Sequence, residues 1–395
     1  MQYREDRKSG NQLSVLGFGC MRFPTAMGRI DKEKSKALVR QAYESGVNYF
    51  DTAYLYPGNE EMVGIILEEL GIREKVYIAT KLPQTMCHGS EAFDTFFEEQ
   101  KRRLRTDYVD YYLLHNVSEF KQWKHLQELG IEDWIAQKKA NGEIRQIGFS
   151  YHGSQQDFIS MIDAYDWDFV QIQYNYININ YQAGMAGLKY AAGKNLPVII
   201  MEPLLGGKLV NGVPEEAVKI MKAAQPGSTP AQWGLNWLWN QPEVTVILSG
   251  MNETAQLDEN IELAGAAVPE MFGEQEEATI EQVIEIFNAG YKIRCTGCNY
   301  CMPCPKNINI PACFAAYNTS YVIGWKTAEM QYMNAVGVVG DNPRFASDCI
   351  RCGKCERHCP QGIEIRKELQ AVKRRLEIPG TKTAGKIARL IMRKK

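Results

Sequence analysis

At 395 residues the chain is long enough for two or three domains, and a composition 45% hydrophobic and 23% charged excludes wholesale disorder. A formal net charge of -2 provides no chain-wide field to recruit nucleic acid or an anionic membrane. No apolar run reaches the roughly eighteen residues a membrane span needs, and the charged N-terminal stretch lacks a leader's apolar core, so a cytoplasmic protein without a membrane span is expected.

Short apolar runs predict strands over 15–19, 47–50, 76–80, 108–114, 144–149, 169–172, 198–201 and 244–248. Helical stretches alternate with them, over 32–44, 60–70, 93–104, 122–139, 155–162, 187–194, 231–239 and 254–264. Asp31 and Ser154 stand where N-caps belong, and Ser45 with Gly46 stops the first helix. Alternation of strand and helix predicts a parallel sheet, and eight such units in about 250 residues is the count of a (β/α)8 TIM barrel. An open doubly wound sheet would usually carry a GxGxxG turn after its first strand, and none is present. The expected class is therefore α/β: a (β/α)8 barrel followed by a small, mainly α-helical, cysteine-rich domain.

Barrel enzymes carry their chemistry at the C-terminal ends of the strands. Asp51 follows the second predicted strand, Tyr56 lies in the next loop, Lys81 ends the third strand and His115 ends the fourth. Each has a plainer alternative: a helix cap, a packing tyrosine, a solvated lysine, a structural histidine. Together at one mouth they suggest carbonyl reduction. A ketone that accepts a hydride develops alkoxide charge and needs a proton, and a phenol supplies it only when a nearby cation assists. Lys81 is that cation, Asp51 orients it, and His115 donates a hydrogen bond to the carbonyl oxygen.

Residues 13–265 resemble the aldo-keto reductase family. The resemblance is carried by FDTAYLYPGNEEMVG, VYIATKL, LRTDYVDYYLLH, IRQIGFS, VQIQYN and QLDEN, in matching order and spacing. It implies that Tyr56 is the general acid, with Asp51, Lys81 and His115 as partners, and that NADPH or NADH binds without a Rossmann domain. Ser150 and Gln171 match positions that hold the nicotinamide carboxamide. Met201 stands where an aromatic residue often stacks on that ring. The final strand and its helix place Ser249, Gly250, Gln256 and Asn260 at the cofactor. Gly250 and Gln256 replace the Lys and Arg that pair with the 2′-phosphate of NADP, so NADH is expected to bind at least comparably.

Nine of the eleven cysteines follow residue 294. Cys295, Cys298, Cys301 and Cys304 form one run. Cys349, Cys352, Cys355 and Cys359 form a second, which fits the ferredoxin spacing C-x2-C-x2-C-x3-C-P. Zinc is the alternative, but its sites rarely draw this many ligands from one short run. Two [4Fe-4S] clusters are expected, or one, because the first run is a residue short before Cys304 and Cys313 could substitute. In two-cluster ferredoxins the fourth cysteine of each run serves the other cluster. By that pattern Cys359 joins Cys295, Cys298 and Cys301, while Cys304 joins Cys349, Cys352 and Cys355. Residues 295–365 resemble an α-helical ferredoxin domain.

The expected organisation is a barrel over 1–272, a helical connector over 273–290, the ferredoxin-type domain over 291–363 and a basic tail over 364–395, read as a solvated helix with a frayed end. The expected activity is hydride transfer between a nicotinamide and a small carbonyl or alcohol, with clusters that exchange electrons with a redox partner protein. Purely structural clusters, or a non-catalytic cofactor-sensing subunit, are the alternatives.

Overall fold

The computed structural model describes residues 1–378 except 296, 298, 299, 339–341 and 360. Eight parallel strands close a barrel in sequence order: β1 (Leu16–Gly19), β2 (Tyr49–Asp51), β3 (Tyr77–Leu82), β4 (Val109–Val117), β5 (Ile144–Tyr151), β6 (Phe169–Gln173), β7 (Val198–Met201) and β8 (Val244–Ser249). The ring closes where β8 pairs with β1, Ile247 opposite Leu16. These strands are largely apolar and buried because both faces are covered. Inside the barrel Tyr49, Tyr111, Phe169, Ile199 and Val246 fill the axis, and Leu13 of the N-terminal hairpin packs against them. Outside it, Leu38, Ile66, Phe97, Leu188 and Leu235 join the surrounding helices to the strands.

Local signals account for most boundaries. Asp31 accepts a hydrogen bond from the Lys34 N–H at 3.1 Å and Ser154 from the Asp157 N–H at 3.2 Å, each satisfying a helix-end donor. The stretch over 122–139 reads as one helix in sequence but forms two, Phe120–Glu128 and Ile131–Ala140. Gly130 between them takes φ 83°, a left-handed value that ends the first helix. Strand β4 runs three residues past its expected end, and its register with β5 shifts between Leu114 and Val117. His115 therefore lies inside a strand, at an irregularity where Asn116 has φ 57°.

Helix Glu274–Ala289 lies on the barrel, where Ile280, Val283 and Phe287 bury against Tyr176, Met221 and Trp233. The C-terminal domain has its own core of Ile308, Phe314, Tyr332, Phe345 and Leu369, built on helices Ile310–Val322, Trp325–Ala335 and Ile365–Leu376. The last of these is a helix, as expected from 364, but it corrects the expectation that this helix is solvated on all sides. Ile365, Leu369, Val372 and Leu376 are buried, and Arg375 donates to the Ser320 carbonyl at 3.1 Å. Its apolar residues repeat at helical spacing between basic ones, so the charge count masked the apolar side of this helix. The rest of the basic stretch, 379–395, lies outside the described residues. No helix among the described residues is long and apolar enough to cross a membrane.

Candidate active site

Adjacent strands β2, β3 and β4 bring Asp51, Lys81 and His115 to one mouth, with Tyr56 from the loop after β2. The Lys81 ammonium donates to both Asp51 oxygens, at 2.7 and 2.8 Å, and to the Thr52 carbonyl at 2.7 Å. Both side chains are buried, so the pair depends on its own hydrogen bonds rather than on water. Burial pushes the Asp51 carboxyl up, with Lys81 opposing. Burial also works to lower Lys81, but Asp51 and Tyr56 hold it above its ordinary value.

The Tyr56 ring stands edge-on to His115, centroids 5.8 Å apart, with the Lys81 nitrogen 5.3 Å from its centre. Burial raises the phenol and the Lys81 charge pulls it back down. His115 is held well below its ordinary pKa by burial, then by the charge of Lys81 and by His152. The imidazole is therefore neutral at neutral pH, and its Nδ1 has no partner among the described residues.

Burial also pushes His152 down from 6.5 to about 4. The unfolded chain takes up this proton near pH 6.5 and the folded chain only near pH 4, so stability falls as pH falls through that window. At pH 5 the expected loss is about 1–2 kcal/mol. Melting curves at pH 7 and pH 5 check this: His152→Gln should lose less between the two pH values than the native chain.

The positions matched to the cofactor line the same end of the barrel. Ser150 accepts from the Asn116 N–H at 2.8 Å. Gln171 reaches Asp51 at 3.4 Å, and its own Oε1 is buried without a partner among the described residues. A buried amide oxygen left unpaired fits a site made for a carboxamide. Asn260 donates to Ser249 at 3.0 Å, Gln256 accepts from the Asn252 N–H at 3.1 Å, and Met201 is partly buried at the end of β7.

Arg22 is a residue the sequence reading missed. It leaves the turn after β1 and crosses the loops after β7 and β8. A Cβ at Gly206 would fall 2.6 Å from its Nη2, and one at Gly250 would fall 2.7 Å from its Cδ. Glycine at both positions makes room for this side chain. Gly250 thus lacks a cation of its own but sits beneath one from another loop. No sequence spacing could have shown it, because the three loops are far apart in the chain.

In the C-terminal domain, Cys304 accepts from the Lys306 N–H and Cys349 from the Arg351 N–H, each at 3.4 Å. Two equivalent N–H···S contacts, one in each run, suit sulfurs that carry charge as ligands. Cys295, Cys301, Cys304, Cys349 and Cys359 pack against the domain core, Cys355 is buried within it and Cys352 is exposed. Cys298 lies outside the described residues. Among the described residues no three potential ligands already stand together as a metal site. The donor set nevertheless fits iron–sulfur chemistry: thiols from two repeated runs flank one core, and binding itself draws such ligands in.

The family model for the aldo/keto reductase family matches residues 15–281. The chain belongs to that family. It is an NAD(P)H-dependent oxidoreductase, and a model described as a 4Fe-4S dicluster domain matches residues 294–364. L-glyceraldehyde 3-phosphate reductase of Escherichia coli O157:H7 is 25% identical over 72% of this chain and 92% of its own length. L-galactose dehydrogenase of Arabidopsis thaliana is 28% identical over 67% of this chain and 86% of its own. The solved aldo-keto reductase AKR11C1 of Bacillus halodurans, in its holo form, superposes with a TM-score of 0.59 at 23% identity, covering 72% of this chain and 96% of that one. That last likeness speaks to the fold.

Proposed function

We propose that this aldo-keto reductase moves hydride between a nicotinamide and a carbonyl or alcohol, with Tyr56 as the proton donor and acceptor. The observation that carries the reading is the buried Asp51–Lys81 pair placed behind the Tyr56 ring. The nicotinamide supplies the hydride. Tyr56 gives its proton to the carbonyl oxygen in reduction and recovers it in oxidation. Lys81 stabilises the phenolate left behind, and Asp51 keeps Lys81 charged and aimed. His115, neutral, donates one hydrogen bond to the substrate oxygen. Ser150 and Gln171 hold the carboxamide, with Met201, Ser249, Gly250, Gln256 and Asn260 completing the cofactor cleft. A carbonyl panel assayed with each nucleotide tests the reading, and turnover of none of them would overturn it.

Arg22 supplies the cation that Gly250 and Gln256 lack. Arg22→Ala is expected to weaken NADPH about tenfold, the worth of one charge-assisted hydrogen bond, while NADH changes little. Fluorescence titration of both nucleotides checks this, and an equal loss for both would place Arg22 on the diphosphate instead.

The C-terminal domain holds two [4Fe-4S] clusters, with Cys298 among the ligands and Cys304 and Cys359 exchanged between the runs. We assign it to electron exchange with a partner protein in the reducing cytosol. The loop of the second run supports that assignment, since Ile350, Arg351, Cys352 and Lys354 are exposed where a partner could approach. A cluster signal that dithionite cannot alter would favour the purely structural role.

A further inference from the structure

The first two residues of helix Asn59–Leu70 are polar and buried, Asn59 and Glu60. Asn59 serves three partners. Its N–H bonds to the Tyr56 carbonyl at 3.0 Å. Its side-chain oxygen accepts from the Thr52 hydroxyl at 2.6 Å, and its amide donates to the Cys20 carbonyl, just past β1, at 2.7 Å. Thr52 is the residue whose own carbonyl accepts from the Lys81 ammonium. Asn59 therefore ties the tip of the lysine and the backbone of the tyrosine to one point.

Glu60 works on the root of the same lysine. Its Oε1 accepts from the Thr80 hydroxyl at 2.6 Å and from the Gln100 amide at 2.7 Å. Gln100, on helix Glu91–Leu104, also donates to the Lys81 carbonyl at 3.1 Å, and its oxygen accepts from the Tyr112 hydroxyl on β4 at 2.7 Å. The other Glu60 oxygen pairs with Arg103 at 3.2 Å. Lys81 is thus held at its backbone by one arm of the network and at its ammonium by the other.

Thr52, Thr80 and Gln100 are buried as well. Polar groups in such a place cost free energy unless each is satisfied, and apolar side chains would fill the space without that cost. Burial pushes the Glu60 carboxyl up, and the bonds from Thr80 and Gln100, with the charge of Arg103, work against it. What the network gives in return is placement. Lysine is a charge on a flexible stem, and in a buried site the effect of that charge on a neighbouring phenol changes steeply with distance.

We propose that Asn59, Glu60 and Gln100 are positioning residues: they fix the Lys81 ammonium relative to the Tyr56 phenol and so set how readily Tyr56 gives up its proton. This rests on the carbonyl-reduction reading and adds to it the residues that place its two central groups.

The test uses the full chain, prepared anaerobically with iron bound and saturated with nicotinamide nucleotide. Thr52→Val removes the hydroxyl held by Asn59 at nearly constant volume. Glu60→Leu removes the carboxylate, and Glu60→Gln keeps its accepting oxygen while removing the charge. Carbon-13 NMR of labelled tyrosine follows the Tyr56 phenol, assigned by the signal that Tyr56→Phe loses. Loosening Lys81 withdraws positive charge from the phenol, so its titration midpoint should rise by about half a pH unit or more in Thr52→Val and in Glu60→Leu. In both, kcat for carbonyl reduction should fall about fivefold or more, with KM and nucleotide affinity kept within about twofold. Glu60→Gln should bring midpoint and rate back towards the native values, even where loss of the Arg103 pair lowers its melting temperature. Thr52→Val decides alone if Glu60→Leu does not fold. A native midpoint in Thr52→Val, a shift in Glu60→Gln as large as in Glu60→Leu, or lowered melting temperatures with unmoved midpoints would each overturn the proposal. Failure of the underlying reading would look different: midpoints that move as expected, but no nucleotide-dependent turnover of any carbonyl by the native chain.

Discussion

Tyr56→Phe is expected to cut carbonyl reduction by about a hundredfold or more while nucleotide affinity is retained. The substitution removes one oxygen and keeps the ring, so the edge contact with His115 and the position of Lys81 over the ring survive. What disappears is the phenol proton that Lys81 is placed to assist. Tyr54 is the internal control, because it is committed elsewhere. Its ring packs edge-on to Phe96 at 5.0 Å and receives the Arg103 guanidinium at 4.3 Å. Steady-state rates for Tyr56→Phe and Tyr54→Phe on one carbonyl should therefore separate sharply, and near-native activity in Tyr56→Phe would remove it from the mechanism. Asp51→Asn should fail in another way. It leaves a buried ammonium without its counter-charge, a defect worth about 3–5 kcal/mol, so stability falls along with activity.

With the two clusters proposed, Cys352→Ser is expected to lower the iron content from about eight to about four per chain, because one cubane loses a ligand. Cys352 is exposed, so its side chain contributes little packing and any structural effect comes through the lost cluster. The domain core is small, and cluster binding free energy forms part of its folding, so proteolysis should open the region around the second run. The barrel has a separate core and should still bind nucleotide. Iron and sulfide analysis of anaerobic protein, with limited proteolysis, measures both effects. Four irons in the native chain would limit it to one cluster, and zinc in their place would remove the electron-transfer role.

The barrel was legible along the chain, because burial of parallel strands on both faces writes apolar runs at regular spacing, with helices between them. So was the set of residues that meet at the mouth. Asp51, Lys81 and His115 are each tied to a strand, and neighbouring strands in a closed ring carry their ends to the same place. The C-terminal domain was legible for a related reason: cluster ligands must come from short loops, so their spacing is local.

The remaining features were decided by contacts between distant segments. Gly130 broke a helix that periodicity joined, since one residue with φ 83° outweighs the apolar pattern around it. The helix Ile365–Leu376 looked like a solvated, charged helix until its apolar side met the core of the domain. Arg22 reached Gly206 and Gly250 only when the turn after β1 closed against β7 and β8. A cavity of about 520 Å³ exists only where the loop after β6 meets the segment at Cys295 and Gly297. Strand ends and ligand spacings are local properties that a chain records along its length. A side chain crossing three loops, or a pocket shared by two domains, is a long-range property that arises only when the chain folds.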